Sequence, residues 1–163
     1  MDIKSRAKGY LDFTRQGTLK YLEGIPEGKY TYQPWAGANH VLWNLGHIAA
    51  TDMFAIAALK GASGFPTGPY DSIFGMGSTP VDDPSKYPPI KEVRDYLDGQ
   101  RRELLALLER KSEADLLKPT EGDMAQFAPD AAGVLFSLGW HEGMHAGQIV
   151  AIRKALGLKP IMG

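Results

Sequence analysis

Leu138, His141, His145, Ile149, Ile152 and Leu156 recur at the three-and-four spacing of a helix that turns one face to a core. Two imidazoles therefore stand where leucines would be expected. Side chains four apart on a helix lie roughly 5–6 Å from each other, near enough for both rings to converge on one ion. Burying that helix obliges the fold to find partners for the ring nitrogens. Two ligands do not complete a metal site, so a third must come from elsewhere in the chain.

Three more stretches carry a helical period. Ile3, Ala7, Tyr10, Leu11, Thr14, Thr18 and Leu22 predict a first helix, ended by Gly24 and Pro26. Asn39 is placed to cap a second that runs to about Leu59, where Lys60 and Gly61 suit a helix end. This second helix is apolar nearly all round and should be central. Ile90, Val93, Leu97, Leu104, Leu107 and Leu108 predict a third, with Arg94, Asp95, Arg101, Arg102, Glu103 and Arg110 on a solvated face. A turn of helix is expected around 114–117, and Asp130 stands where the fourth long helix needs its cap.

No strand pattern and no internal repeat occurs, so the expected fold is all-α, a four-helix bundle, whose interior is a common place for a metal or cofactor. Residues 61–89 are rich in glycine and proline and have no steady period. A crossover of that length would let helices two and three run parallel, and connections so long usually carry function. Tyr30, Tyr32 and Trp35 are expected to cover one end of the bundle, and Trp43 and Trp140 to pack in its core.

With 163 residues the chain is most simply one domain, 1–163, large enough to bury roughly 70% of its unfolded surface. Eighteen basic residues set against 19 acidic ones leave a net charge of −1 and no basic stripe for phosphates, so no nucleic-acid partner is expected. The absence of cysteine excludes disulfides, thiolate ligands and a cysteine nucleophile, and fits a cytoplasmic setting. Any thiol chemistry would have to come from a bound small molecule. The polar amino terminus lacks the apolar run of a signal peptide. The apolar segment 41–59 carries Asn44, His47, Thr51 and Asp52. A mid-span Asp costs about 2.5–3.5 kcal/mol on insertion scales, so a core helix is expected there rather than a membrane span.

His141-Glu142-Gly143-Met144-His145 is literally H-E-x-x-H, the zinc-protease signature. The extended form of that signature would need Gly at 148 and His at 151, where this chain has Gln148 and Ala151. No acidic residue follows Glu142 and no histidine follows His145, so the protease reading fails for want of a third ligand. Upstream, His40 and His47 share a helix face. His47 lies two turns into the apolar helix, whereas His40 falls in the first turn, so His47 is the expected third ligand. Three buried imidazoles need six nitrogen partners, and a shared metal supplies three at once.

Asn44-Leu45-Gly46-His47-Ile48 on helix two, joined to His141-Glu142-Gly143-Met144-His145-Ala146-Gly147-Gln148-Ile149 through Arg153, Gly157 and Pro160, resembles the DinB/YfiT-like superfamily of metal-dependent enzymes. The resemblance covers the whole chain in length and helix order, and these two stretches carry it. It implies a bundle of up-down-down-up topology in which His47, His141 and His145 bind a divalent metal, commonly zinc or nickel. Members resemble small-molecule enzymes, among them thiol-dependent S-transferases and maleylpyruvate isomerases, and a homodimer is reasonable by the same likeness.

Three neutral ligands would leave the ion's charge undiminished and a coordination position open, as catalytic sites require. Water or a low-molecular-weight thiol activated there could attack a small electrophile. Glu142, about 100° around the helix from His141, is placed either as a general base at the rim or as an interfacial glutamate. Asn44 and Gln148, each a turn from a ligand, are candidates to support the histidines or to touch substrate. The competing expectation is a binding or sensing module without catalysis. A structural metal in such a module would need a fourth protein ligand, for which Glu142 and His40 are the nearby candidates.

Overall fold

A computed structural model of the protein describes residues 2–161. Four long helices, α1 (Ile3–Leu22), α2 (Val41–Leu59), α4 (Ile90–Glu109) and α6 (Ala131–Ala155), are joined by segments holding two single-turn helices, α3 (Asp71–Phe74) and α5 (Glu113–Leu116). Among the described residues there is no strand, only an isolated bridge between Pro119 and Asp130.

Local chemistry sets the helix ends. Asp130 caps α6 by accepting the Gly133 N–H at 2.7 Å. The cap of α2 is His40 and not Asn39: His40 Nδ1 accepts the Trp43 N–H at 3.1 Å, while the Asn39 amide donates to Gln148 Oε1 at 3.0 Å. At the other end of α2 the Ala62 and Gly61 N–H groups return to the carbonyls of Ala57 and Ala58, and Gly61 takes the left-handed φ of 76° that this closure requires.

Paired residues give the helix directions. Tyr10–Phe136, Arg15–Glu142 and Tyr21–Arg153 advance together, so α1 and α6 run the same way. Asp52–Arg101 and Lys60–Glu103 do the same for α2 and α4. Asn44–His145 and His47–His141 run in opposite order, which makes α2 antiparallel to α6.

The core is divided. One apolar cluster holds Leu11, Ala55, Leu104 and Leu138, the other Leu22, Ile48, Leu97 and Ile149. Between them, each long helix contributes one charged side chain: Arg15 from α1, Asp52 from α2, Arg101 from α4 and Glu142 from α6. Arg101 thus departs from the solvated face expected of it, with only 5% of its surface exposed. It follows Leu97 by four and precedes Leu104 by three, which puts it on the apolar stripe of α4. The window of α2 that is long and apolar enough to cross a membrane is 83% buried inside the bundle. Trp43 is buried as expected, but Trp140 is 65% and Trp35 62% exposed.

The crossover from α2 to α4 is anchored on α2. Its helix α3 delivers Phe74, fully buried, against Gly46, where an added Cβ would lie 2.4 Å from the ring. Glycine at 46 is what lets the crossover approach the helix that carries His47.

Candidate metal centre

His47 from α2 meets His141 and His145 from α6, one nitrogen of each lying within 4.8 Å of the others. The anchoring of the rings decides which nitrogens face inward. A carbonyl oxygen only accepts, so His47 Nδ1, 2.6 Å from the Phe74 carbonyl oxygen, must carry its proton there. His145 Nδ1 likewise donates, to Asn44 Oδ1 at 2.8 Å and Gln148 Oε1 at 3.1 Å. Both tautomers therefore leave Nε2 with a free lone pair. The expected partners Asn44 and Gln148 thus stand behind His145, and Asn39 donates to Gln148 from the far side.

His145 Nε2 lies 3.1 Å from His141 Nε2. A proton on His141 Nε2 would satisfy that pair, but it would leave His141 Nδ1, which is buried and without a partner, as an orphan acceptor. A cation would take the Nε2 lone pairs of all three rings and so relieve the His141–His145 contact, with the His141 proton then on its unpartnered Nδ1. Tetrahedral zinc, with bonds of about 2.0–2.1 Å, holds neighbouring ligand nitrogens roughly 3.3 Å apart, close to the 3.1 Å between His141 and His145, and all three histidines offer a nitrogen within 4.8 Å of the others. The donor set fits such an ion.

Burial keeps the rings neutral. It pushes His141 down to about 4 and His145 to about 3, with repulsion from the neighbouring imidazoles adding to the effect, and it lowers His47 as well. Neutral imidazole is the ligating form. Trp43 stacks on the His47 ring at 4.5 Å and 14°, holding it from the other face. Among the described residues no fourth candidate ligand joins the three. His40, the other upstream histidine, is spent on the α2 cap and packs edge-on against Tyr87.

Glu142 is not at the rim. It is 1% exposed, and both its oxygens are engaged: Arg15 Nε donates to Oε1 at 2.7 Å and Arg101 Nη2 to Oε2 at 2.7 Å. Asp52 completes the layer by accepting two bonds of 3.0 Å from Arg101 and one of 3.3 Å from Arg15. Two cations and two anions, from four different helices, thus neutralise one another directly beside the histidines. Glu142 sits within this layer and not at the rim expected of a general base, with a guanidinium on each of its oxygens. The interfacial alternative describes it. Arg15, Asp52 and Arg101 were missed as members of this layer by residue type alone, although Leu11-x3-Arg15-x2-Thr18 and Leu97-x3-Arg101-x2-Leu104 keep core spacing.

A cavity of about 660 Å³ opens beside the centre, with His47 and His141 in its wall. The remaining wall comes from α2, α6, the crossover and the turn at residues 122–127. A cavity of this size suits a small organic molecule. Compared with known protein families, residues 10–149 match the DinB superfamily. No curated protein matches the chain.

Proposed function

Because this chain belongs to the DinB superfamily, we propose that it is a divalent-metal-dependent enzyme that acts on a small molecule. The observation that carries this reading is the set of three imidazoles, two with Nδ1 tied to oxygen acceptors, whose lone pairs converge beside a cavity. His47, His141 and His145 would hold the ion; imidazoles accept zinc, nickel, iron and copper alike, and the family resemblance points to zinc or nickel. When bound, it would supply Lewis acidity and activate water or a low-molecular-weight thiol as nucleophile.

The chain's own side chains have separable parts in this scheme. Phe74, through its carbonyl, and the amides of Asn44 and Gln148 hold the ring orientations and keep protons on Nδ1. The largely apolar wall of the cavity would shield a bound substrate from water on that face. Glu142 has no proton-transfer step here. Its carboxylate balances Arg15 and Arg101, and so fixes the register of α6, on which two of the histidines ride. Three ligands and an adjoining cavity favour catalysis over a closed structural site. Transfer of a thiol to a small electrophile, isomerisation and hydrolysis are the reactions this arrangement could serve.

The test is a turnover screen in which metal-stripped and reloaded protein are presented with several low-molecular-weight thiols and small electrophiles. Turnover that returns with the metal and vanishes in His145→Ala is the expected result. Silence across the panel from fully loaded protein would favour a binding module instead.

A further inference from the structure

We infer that the cavity beside His47 and His141 selects an uncharged, largely apolar molecule, of the bulk of two or three aromatic rings, and disfavours anions. This deepens the enzymatic reading and rests on it for the chemistry, though not for the binding.

Three phenylalanines from separate parts of the chain converge on the cavity: Phe54 from α2, Phe65 from the crossover and Phe127 from the turn before α6. Their ring centroids lie 5.4, 5.9 and 5.3 Å apart, two of the three pairs edge-to-face, so the cluster presents ring faces and edges to an occupant. Phe65 is 37% and Phe127 49% exposed, a large apolar area for side chains that already touch one another. An apolar guest would cover it. Met76 and Met124, also in the wall, add side chains that adapt to irregular shapes.

The polar inventory is equally informative. Among the described residues no lysine or arginine lines the cavity. A phosphate or carboxylate in the body of a ligand would find no guanidinium or ammonium to pair with, and burying it unpaired is costly. Among the described residues the one ionisable group in the wall besides the two imidazoles is Asp71, whose carboxylate accepts the Gly68 N–H at 2.7 Å and would repel an anion. Ser137 and Gln126 can each donate or accept a neutral hydrogen bond, and Thr51, whose hydroxyl donates to the Ile48 carbonyl at 2.9 Å, can accept one. An ion on the histidines would draw a single donor atom of the ligand, leaving the rest of the molecule against uncharged walls.

Two fluorescent probes with the same aromatic skeleton test this on the full chain, with and without metal: neutral N-phenyl-1-naphthylamine and its sulfonated counterpart, 1-anilinonaphthalene-8-sulfonate. The neutral probe should bind one per chain at least about tenfold more tightly than the sulfonate. Phe65→Ala and Phe127→Ala should each weaken it about tenfold while helical circular dichroism is unchanged, because both rings are partly exposed. Gln126→Arg, at an exposed position, should narrow the gap in favour of the sulfonate. Equal or tighter binding of the sulfonate to the unmodified protein would overturn the inference, and so would neutral-probe binding that ignores both phenylalanine substitutions. Probe fluorescence needs no turnover and no metal. A protein that holds no ion but keeps this selectivity would sink only the enzymatic reading.

Discussion

Asn44 Oδ1 accepts a hydrogen bond from His145 Nδ1 at 2.8 Å, joining α2 to α6 directly behind the proposed metal centre. The contact fixes the tautomer that leaves His145 Nε2 free, so its loss should be felt by the ion more than by the fold. Asn44→Ala is expected to lower metal affinity by about 10–100-fold, measured by competition with a chromophoric chelator. Unchanged affinity would show that Gln148 alone holds the ring.

Glu142 and the two arginines offer a test of what the buried glutamate does. Glu142→Gln keeps the shape but leaves Arg15 and Arg101 with one buried anion, Asp52, between them. Removing one partner of a buried charge network costs about 3–5 kcal/mol, which should appear as a lowered urea midpoint. A general base would behave differently: the same substitution would abolish turnover and leave the midpoint in place.

Gly46 should tolerate no side chain. The fully buried Phe74 ring would have to move to admit even the methyl group of Gly46→Ala, at a cost of roughly 1–3 kcal/mol for overpacking. The same displacement would carry the Phe74 carbonyl away from His47 Nδ1. Both a lower melting temperature and weaker metal binding are therefore expected from this one methyl. A variant that lost stability but bound metal normally would separate the two effects and count against the anchoring role of Phe74.

Acid should destabilise the metal-free protein earlier than carboxylate titration would. Burial holds His40 and His141 near 4 and His145 near 3, against an ordinary value of 6.5. Above pH 6.5 neither the folded nor the unfolded chain binds these protons, and they make no difference to stability. Between 6.5 and about 4 the unfolded chain takes up protons that the folded protein refuses, so stability falls as the pH falls. Each such histidine accounts for up to about 1.4 kcal/mol per pH unit over that window. Urea midpoints of stripped protein at a series of pH values should be level above 7 and drop steadily below 6.5. A level profile down to pH 5 would mean that the rings are accessible to protons in the folded state.

How far this could be read from the letters differs from one residue to the next. The four long helices were legible because apolar residues keep helical spacing over four or five turns in each. The histidine cluster was legible because three imidazoles fall on stripes that should be buried. The cap of α2 was not: Asn39 and His40 are both competent acceptors, and the choice depends on Gln148, 109 residues away, drawing the Asn39 amide aside. Arg101 lies in the core and not on a solvated face because position outweighs charge: its spacing from Leu97 and Leu104 keeps it on the apolar stripe. Phe74 closed the site from a stretch with no period at all, and its approach depends on a glycine whose meaning emerges only when the two segments meet. The cavity was out of reach for the same reason, being built by loops whose side chains share no sequence pattern.

The central claim is that His47, His141 and His145 share one cation. Elemental analysis of protein purified without an affinity tag, alongside His47→Ala and His145→Ala, tests it most directly. Close to one divalent ion per chain is expected in the unmodified protein, with loss of that ion in both variants. Protein that takes up no metal from solutions of zinc or nickel, and whose stability is indifferent to both substitutions, would contradict it.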